Sequence, residues 1–269
     1  MSDMIKLMIE IARRAGAEIV KCLKEGRGSE VVAKGAGGDT TLVIDKVSEN
    51  TILNFLMNKL GSFTAVSEEI GLFKRGDSEL IFIIDPVDGS YNSRRMIPLF
   101  TVSIALARGR TLEDVIAGVV HDPYTGSTYW AEKGKGAYYN GSKIKVKGNS
   151  GNLRNSLICV SLPLKAGVKP IETAKEIIKH GGRVRALGSA SYEACLVARG
   201  SADAYIDAWG TLRIVDIAAA SLILKEAGAV VLYNYREPTK IPKIDLDEKL
   251  FFVTANSKQL MEEIVKILP

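Results

Sequence analysis

The stretch LIFIIDPVDGS, residues 80–90, passes from five consecutive apolar residues to acidic and turn-forming ones within a few positions. The apolar part predicts a buried strand, because a strand enclosed on both faces is apolar at successive positions. Pro86 has no N–H to donate to a neighbouring strand, so we expect the strand to end at Asp85. Asp85 and Asp88 then stand at the end of a buried strand, where ligand sites of layered α/β proteins gather.

Two carboxylates so close together repel each other unless a cation binds them. Mg²⁺ is the natural candidate, since it prefers oxygen and is held by a few carboxylates together with waters and a substrate phosphate. Gly89 lets a ligand approach the backbone, and the N–H groups of Gly89 and Ser90 at a turn can hold a phosphate. The alternative is an ordinary DPxDG turn without a ligand. On this stretch alone, both interpretations stay open.

Three further segments place acidic residues where an element starts or ends. A short strand in TAVSEE ends at Glu68 and Glu69, GGDTTLVID contains Asp39 and Asp45, and Asp216 falls in the first turn of an apolar helix. Each acid taken singly is explained by an exposed loop or by a helix cap. Together with the pair at the strand end, they predict metal-assisted hydrolysis of a phosphate monoester, in which metal ions activate water and hold the phosphoryl oxygens.

Helical and strand patterns follow one another along the chain. Apolar residues at helical spacing predict helices over residues 3–24, 46–60, 169–180, 189–199, 214–227 and 257–267. Short apolar runs between the second and third helices are typical of a mixed, largely antiparallel sheet. Beyond the segment KGNSGNLRN, residues 147–155, strands alternate with helices. We therefore predict a layered α/β protein of two closely packed halves, residues 1–150 and 151–269.

Composition excludes several classes of protein. The chain has 269 residues and no apolar run of membrane-spanning length, so we expect a cytoplasmic protein. Three well-separated cysteines argue against a disulfide framework and a zinc site. Only two histidines occur, His121 and His180, both in loop or helix-end contexts, which disfavours a Ser-His-Asp hydrolase. A net charge of +5 suits anionic ligands, but no Lys/Arg run indicates a nucleic-acid partner.

Three motifs, in this order, resemble those of the inositol monophosphatase family: SEE at 67–69, DPVDGSYN at 85–92 and VDIAAASLILKEAGA at 215–229. The segment GKGAYYNGSKIKV at 134–146 extends the resemblance over nearly the whole chain. The family belongs to the lithium-sensitive, Mg²⁺-dependent sugar phosphatases, and its archaeal type often hydrolyses both inositol monophosphate and fructose 1,6-bisphosphate. The resemblance implies a five-layered αβαβα sandwich, a homodimer, and two or three Mg²⁺ ions in each active site.

The resemblance also implies roles for individual residues, carried over by position. The implied metal ligands are Glu68, Asp85, Asp88, Asp216 and the carbonyl of Val87. The implied phosphate-binding groups are the amides of Gly89 and Ser90. Catalytic roles fall to Glu68, to Ser90, which helps to orient the attacking water, and to Asp45 behind Ser90.

Substrate contacts are implied for Asp207 and Arg213. We expect further contacts at Gly188, Ser189 and Ala190, because a helix start that is led by glycine can receive a sugar hydroxyl or a distal phosphate. A cationic Arg213 favours an anionic sugar bisphosphate over inositol, as a hypothesis.

The sequence departs from the family pattern just after DPVDGSYN. Relatives commonly continue with Phe and a glycine, whereas this chain has Ser93, Arg94, Arg95 and Met96. Two adjacent arginines beside an active-site loop can grip a second phosphate or a partner subunit. The alternative is that both side chains are simply solvated.

The sequence therefore predicts a Mg²⁺-dependent phosphomonoesterase acting on myo-inositol 1-phosphate, fructose 1,6-bisphosphate or both, with no nucleic-acid or membrane partner. The main alternative is the same chemistry on 3′-phosphoadenosine 5′-phosphate or NADP. A haloacid-dehalogenase phosphatase is disfavoured, because the spacing DxxDGS is one residue longer than DxDGT. A different class is a non-catalytic regulatory module that binds phosphate or cations.

Overall fold

The computed structural model describes residues 1–28, 30–34, 40–147 and 151–269. Asp39 lies outside the described residues, and so does the predicted boundary between the halves at residue 150. None of the helices in the described part of the chain is both long and apolar enough to cross a lipid bilayer.

The helices agree with the predicted ones to within three residues at each end, apart from a short additional helix, α3. They are α1 Asp3–Lys24, α2 Val43–Lys59, α3 Ser90–Arg94, α4 Lys169–Lys179, α5 Ala190–Ala198, α6 Ile214–Ala227 and α7 Lys258–Ile267. The strands are β1 Val31–Lys34, β2 Thr40–Leu42, β3 Phe63–Ser67, β4 Gly71–Arg75, β5 Leu80–Asp88, β6 Thr101–Arg108, β7 Val115–His121, β8 Thr128–Glu132, β9 Gly136–Tyr139, β10 Ser142–Ile144, β11 Leu157–Val160, β12 Arg183–Arg185, β13 Ala204–Arg213, β14 Val230–Leu232 and β15 Lys249–Ala255.

The strands form two large sheets. The first has eight strands in the order β10-β9-β8-β7-β6-β5-β3-β4, and every neighbouring pair is antiparallel except β3 with β5. The second has five strands in the order β12-β11-β13-β15-β14, with β11 parallel to both of its neighbours. The prediction of a mixed, largely antiparallel N-terminal sheet is confirmed.

The helices separate and cover the two sheets. Helices α1 and α2 pack on the outer face of the eight-stranded sheet, α5 and α6 lie between the sheets, and α4 and α7 pack on the five-stranded sheet. Helix α6 buries 12 of its 14 residues, as expected for a helix with an apolar surface all round. These five layers confirm the αβαβα fold class.

The central strand β5 does not end where the sequence predicts. It continues through Pro86 to Asp88, so the prediction that it stops at Asp85 is wrong. Asp85 pairs with Ser103 and Asp88 with Thr101, which means that β5 advances by three residues while β6 advances by two. The extra residue is a β-bulge, a place where a strand tolerates a residue without an N–H donor. The bulge therefore lies between the two aspartates.

Helix α6 approaches strand β7 closely at Gly118. A Cβ atom on Gly118 would lie 2.8 Å from the carbonyl oxygen of Ala219 and 3.0 Å from its Cα. Both atoms belong to the backbone of a buried helix, so they cannot move aside cheaply. Glycine at this position therefore sets the distance between the first sheet and the central helix.

Gly118→Ala is expected to lower the free energy of unfolding by about 1–3 kcal/mol, because it overpacks this contact. Urea denaturation measures the change. The matched control is Gly61→Ala, where an added Cβ meets no atom within 4 Å. That substitution should change the free energy of unfolding by less than about 0.5 kcal/mol. Equal effects of the two substitutions would contradict the role assigned to Gly118.

Candidate active site

Three carboxylates meet at one edge of the eight-stranded sheet. Strands β3 and β5 are parallel neighbours, with Ser67 opposite Ile84, so the residues that follow, Glu68 and Asp85, come side by side. Helix α6 packs against β5 and brings Asp216 to the same place in its first turn. The ligand oxygens of Glu68, Asp85 and Asp216 all lie within 4.8 Å of one another.

The chemistry of this group fits a hard divalent cation. All three ligands are carboxylate oxygens, the donors that Mg²⁺ prefers. Burial raises the pKa of Glu68 to about 8, and burial and the neighbouring Glu68 raise the pKa of Asp85 well above its ordinary range. Both shifts show that the negative charges are crowded in a place with little water. A bound dication would relieve this repulsion, so the residues present fit Mg²⁺.

Asp216 has two functions at once. Its Oδ2 accepts the backbone N–H of Arg213 at 2.7 Å, which caps the start of α6. Its Oδ1 lies 3.4 Å from Nη2 of Arg213, on the side of the carboxylate group. Capping of α6 and membership of the carboxylate group, which were alternatives for Asp216 in the sequence, therefore occur together.

Arg213 points its side chain into the carboxylate group. Its Nη2 lies 2.6 Å from Oε1 of Glu68, and the side chain is only 15% exposed. Burial disfavours the charged guanidinium, but Asp216 and Glu68 outweigh that effect and raise the pKa of Arg213. In this structure, the contacts of the predicted substrate arginine include two of the three carboxylates.

Asp88 is engaged at the start of helix α5. Its Oδ2 accepts hydrogen bonds from the Ser189 hydroxyl at 2.7 Å and from the Ser191 amide and hydroxyl at 2.7 and 2.5 Å. Its Oδ1 accepts the Ala190 amide at 3.1 Å. The three-carboxylate group does not include Asp88 among the described residues. Asp88 therefore ties α5 to β5, and its role as a metal ligand stays a prediction.

The predicted substrate segment at the start of α5 is also held by hydrogen bonds to Glu193. The amides of Leu187 and Gly188 donate to the Glu193 carboxylate at 2.9 and 3.3 Å. With Ala190 donating to Asp88, two amides of the predicted substrate segment, those of Gly188 and Ala190, already have acceptors. The segment lines the site, but these amides would have to exchange partners to bind a sugar hydroxyl or a phosphate.

The turn after β5 requires glycine. Gly89 has a φ of 97°, in the left-handed region, and a Cβ there would lie 2.9 Å from the carbonyl oxygen of Leu99. The next residue, Ser90, donates its hydroxyl to the carbonyl oxygen of Val87 at 2.9 Å. The turn is thus fixed by its own residues and by the segment that follows it.

Asp45 lies behind Ser90, in the first turn of α2. Its Oδ2 accepts the Leu42 amide at 2.8 Å. Burial raises the pKa of Asp45 to about 7, and Glu69 contributes in the same direction, whereas Leu42 and Ser90 act to lower it. An acid with a pKa close to neutrality can exchange a proton under ordinary conditions.

The predicted site residues all line one cavity of about 720 Å³. Its walls include every predicted site residue: Asp45, Glu68, Asp85, Val87, Asp88, Gly89, Ser90, Gly188, Ser189, Ala190, Asp207, Arg213 and Asp216. Burial raises the pKa of Asp207 to about 6. Tyr91 forms part of the rim, with the guanidinium carbons of Arg94 and Arg95 at 5.2 and 5.5 Å from its ring centroid.

Two buried acids that support the site, Glu193 and Glu49, were not identified from the sequence. Glu193, whose pKa burial raises to about 8, supports the segment before α5, and Glu49 accepts from the Ser67 hydroxyl at 2.5 Å beneath the end of β3. Helical spacing carries the signal that would have found both. Glu193 lies three residues after Ala190 and four before Val197, and Glu49 lies three before Ile52, so both face the core.

Comparisons with known proteins give matches over the whole chain. The family model described as the inositol monophosphatase family matches residues 1–269. A Methanothermobacter thermautotrophicus protein named fructose-1,6-bisphosphatase/inositol-1-monophosphatase is 35% identical, over 97% of this chain and 94% of its own length. A Methanococcus maripaludis protein named bifunctional NADP phosphatase/NAD kinase is 34% identical over 98% of this chain, which spans only 49% of that protein.

Solved structures give the same result. The crystal structure of an inositol monophosphatase–fructose 1,6-bisphosphatase is 33% identical, with a TM-score of 0.84 and coverage of 100% of both chains. Fold and matches together define a phosphatase, and the prediction of a phosphoric monoester hydrolase is confirmed at this level. The chain belongs to the inositol monophosphatase family.

Asp85→Asn and Asp88→Asn should have different effects on the stability of the metal-free chain. Asn at position 88 cannot accept all the hydrogen bonds from Ser189, Ala190 and Ser191, so the free energy of unfolding should fall by about 1–3 kcal/mol. Asn at position 85 removes an acid from the crowded group and should leave the free energy of unfolding unchanged or higher. Urea denaturation with EDTA at pH 7.5 measures both, and a larger loss for Asp85→Asn would contradict the assignment.

The raised pKa of Asp45 predicts a pH dependence of stability. In the folded chain, Asp45 keeps its proton up to about pH 7, whereas the unfolded chain releases it near the ordinary value of 3.8. The folded state therefore binds more protons between these pH values, and its stability falls as pH rises from about 4 to 7.

Asp45→Asn keeps an acceptor for Leu42 and removes the titration. The free energy of unfolding of the wild type relative to this variant should drop by an amount on the order of a few kcal/mol between pH 4 and 7, then level off. The control is Asp77→Asn, because the Asp77 side chain is fully exposed. A relative stability of wild type and Asp45→Asn that stays flat over this range would refute the assignment.

Proposed function

We propose that the chain is a Mg²⁺-dependent phosphomonoesterase for small phosphorylated sugars and polyols, with fructose 1,6-bisphosphate and myo-inositol 1-phosphate as substrates. One observation carries the proposal: a single cavity joins three largely buried carboxylates, with oxygens within 4.8 Å of one another, to the turn at Gly89 and Ser90. A cation site beside a phosphate-binding turn is what hydrolysis of a phosphate monoester requires. The dual activity in the name of the Methanothermobacter relative supports both substrates.

The chain's own residues have distinct roles in this proposal. Glu68, Asp85 and Asp216 hold the cation, and the Val87 carbonyl and Asp88 complete the ligand set when two or three ions are bound. The chemistry that such a cation supplies is polarisation of water and of the phosphoryl oxygens. Asp88 would exchange some of its hydrogen bonds with α5 for a metal.

The turn after β5 binds the phosphate and orients water. The amides of Gly89 and Ser90 bind phosphate oxygens, because Gly89 lets the substrate approach the backbone closely. The Ser90 hydroxyl, which contacts the Val87 carbonyl, orients the attacking water. Asp45 behind Ser90 accepts the proton, in keeping with its pKa of about 7.

The substrate wall consists of Asp207, Arg213 and the segment 188–190. Asp207 can accept a hydrogen bond from a sugar hydroxyl, and Arg213 favours a second anionic group. Arg94 and Arg95 contribute to a distal phosphate site from the rim at Tyr91. A cytoplasmic homodimer that is inhibited by lithium stays the prediction for the assembled enzyme.

A second candidate substrate is NADP. Two relatives named bifunctional NADP phosphatase/NAD kinase are 34% and 32% identical over 98% and 96% of this chain. Those values are close to the 35% of the fructose-1,6-bisphosphatase relative, so overall identity does not separate the two substrate classes. The metal and phosphate groups would be shared, and only the contacts to the rest of the substrate would differ.

A substrate panel tests the proposal. Phosphate release is measured with Mg²⁺ or EDTA from fructose 1,6-bisphosphate, myo-inositol 1-phosphate, NADP and 3′-phosphoadenosine 5′-phosphate. We expect release only with Mg²⁺, and fastest from the first two. Preference for NADP would select the second candidate. No Mg²⁺-dependent release from any of the four would refute the proposal and favour a non-catalytic binding module.

Asp85→Asn tests the carboxylate group in the same assay. It should lower kcat/KM by more than the roughly 100-fold that is typical of removing an outer partner of a metal ligand. The control Asp77→Asn, at a fully exposed side chain, should stay within about twofold of the wild type. Full activity of Asp85→Asn would refute the assignment of this residue.

A further inference from the structure

The guanidinium group of Arg213 contacts two of the three carboxylates that a cation would need. Its Nη2 contacts Oε1 of Glu68 at 2.6 Å and lies 3.4 Å from Oδ1 of Asp216. The three side chains are only 15%, 12% and 12% exposed. An ion pair so far removed from water is screened weakly, so the contact is strong. The carboxylate group therefore has an internal cation in the metal-free chain.

The main chain of Arg213 is held in place. Its backbone ends strand β13, opposite Lys249, and its N–H donates to Oδ2 of Asp216 at 2.7 Å. These contacts fix the main chain at the start of α6. The arginine side chain, however, is long and has several rotatable bonds. The guanidinium can therefore leave the carboxylates without any rearrangement of the fold.

A dication and the guanidinium cannot both hold these oxygens. Mg²⁺ requires short contacts to carboxylate oxygens, and the two positive groups would repel each other at that distance. We infer that Arg213 is an internal competitor of the metal, and that a divalent cation binds by displacing its guanidinium from Glu68 and Asp216. The inference rests on the proposed function only in taking this group as the metal site.

This exchange has two consequences. Without Arg213, three largely buried carboxylates face one another, so the metal-free chain should be less stable and a cation should bind more tightly. With Arg213, the metal-free chain is compensated and metal binding is weaker, because the guanidinium has to be displaced first. The displaced guanidinium would stay beside the substrate cavity, which Arg213 lines.

Isothermal titration calorimetry with Mg²⁺ alone tests the exchange. Arg213→Met removes the charge at similar length, and we expect its Kd for Mg²⁺ to fall by roughly 5- to 150-fold, the usual range for coupling between two ligands. Arg213→Lys keeps a charge with fewer contacts and should lie between this variant and the wild type. An equal or higher Kd for Arg213→Met would overturn the inference.

The control is Arg108→Met. Arg108 is exposed and pairs with Leu80, at the end of β5 away from the aspartates. The substitution therefore removes the same charge at a position far from the carboxylate group. Its Kd for Mg²⁺ should stay within about twofold of the wild type, since exposed distant charges are screened. If the Kd of Arg108→Met falls as much as that of Arg213→Met, the effect comes from the overall charge of the chain, and the inference is overturned.

A measurement on the wild type tests the exchange even if Arg213→Met does not fold. With ¹⁵N-labelled arginine, the Nε resonance of Arg213 is assigned by its absence in Arg213→Lys. It should shift during Mg²⁺ titration with the midpoint that calorimetry gives. If Mg²⁺ binds and the resonance does not move, the inference fails while the proposed function stands. If no Mg²⁺ binds at all, both fail.

Discussion

Burying several carboxylates within a few ångströms of one another costs free energy, and much of the structure around the cavity offsets that cost. Four acids of the cavity have specific partners: Arg213 for Glu68, the start of α6 for Asp216, the start of α5 for Asp88 and the start of α2 for Asp45. Three of the four partners involve the first turn of a helix, where amide hydrogens and the helix dipole favour an anion. The helices around the site thus stabilise a charge distribution that would otherwise oppose folding.

This constraint accounts for several other features of the structure around the cavity. The bulge between Asp85 and Asp88 changes the register of the strand and lets one aspartate join Glu68 while the other reaches α5. Glu193 holds the segment that faces the cavity, and Gly118 brings α6 close enough to the sheet for Asp216 to meet the other acids. Packing and chemistry are therefore set by the same few contacts.

Sequence predicted the helices well, because their apolar spacing and caps are local signals. It grouped the acids because each lies where an element starts or ends, and the resemblance to a family then implied the role of each one. It did not predict that β5 continues to Asp88, because a bulge depends on the register of the partner strand. The hydrogen-bond partners of Asp88 could not be predicted either, since Ser189 and Ser191 follow it by about 100 residues in the chain. Hydrogen bonds between polar groups so far apart in the chain produce no periodic pattern in the sequence.

The contact of Asp88 with the start of α5 has a consequence for how such a chain changes over evolutionary time. It joins strand β5 of the eight-stranded sheet to helix α5 between the sheets by hydrogen bonds that are themselves part of the cavity wall. A substitution that breaks these hydrogen bonds would disturb the cavity wall together with the contact between the strand and the helix. We therefore expect changes in substrate choice among related chains to fall on the rim, where side chains such as Arg94 and Arg95 can change without breaking these hydrogen bonds.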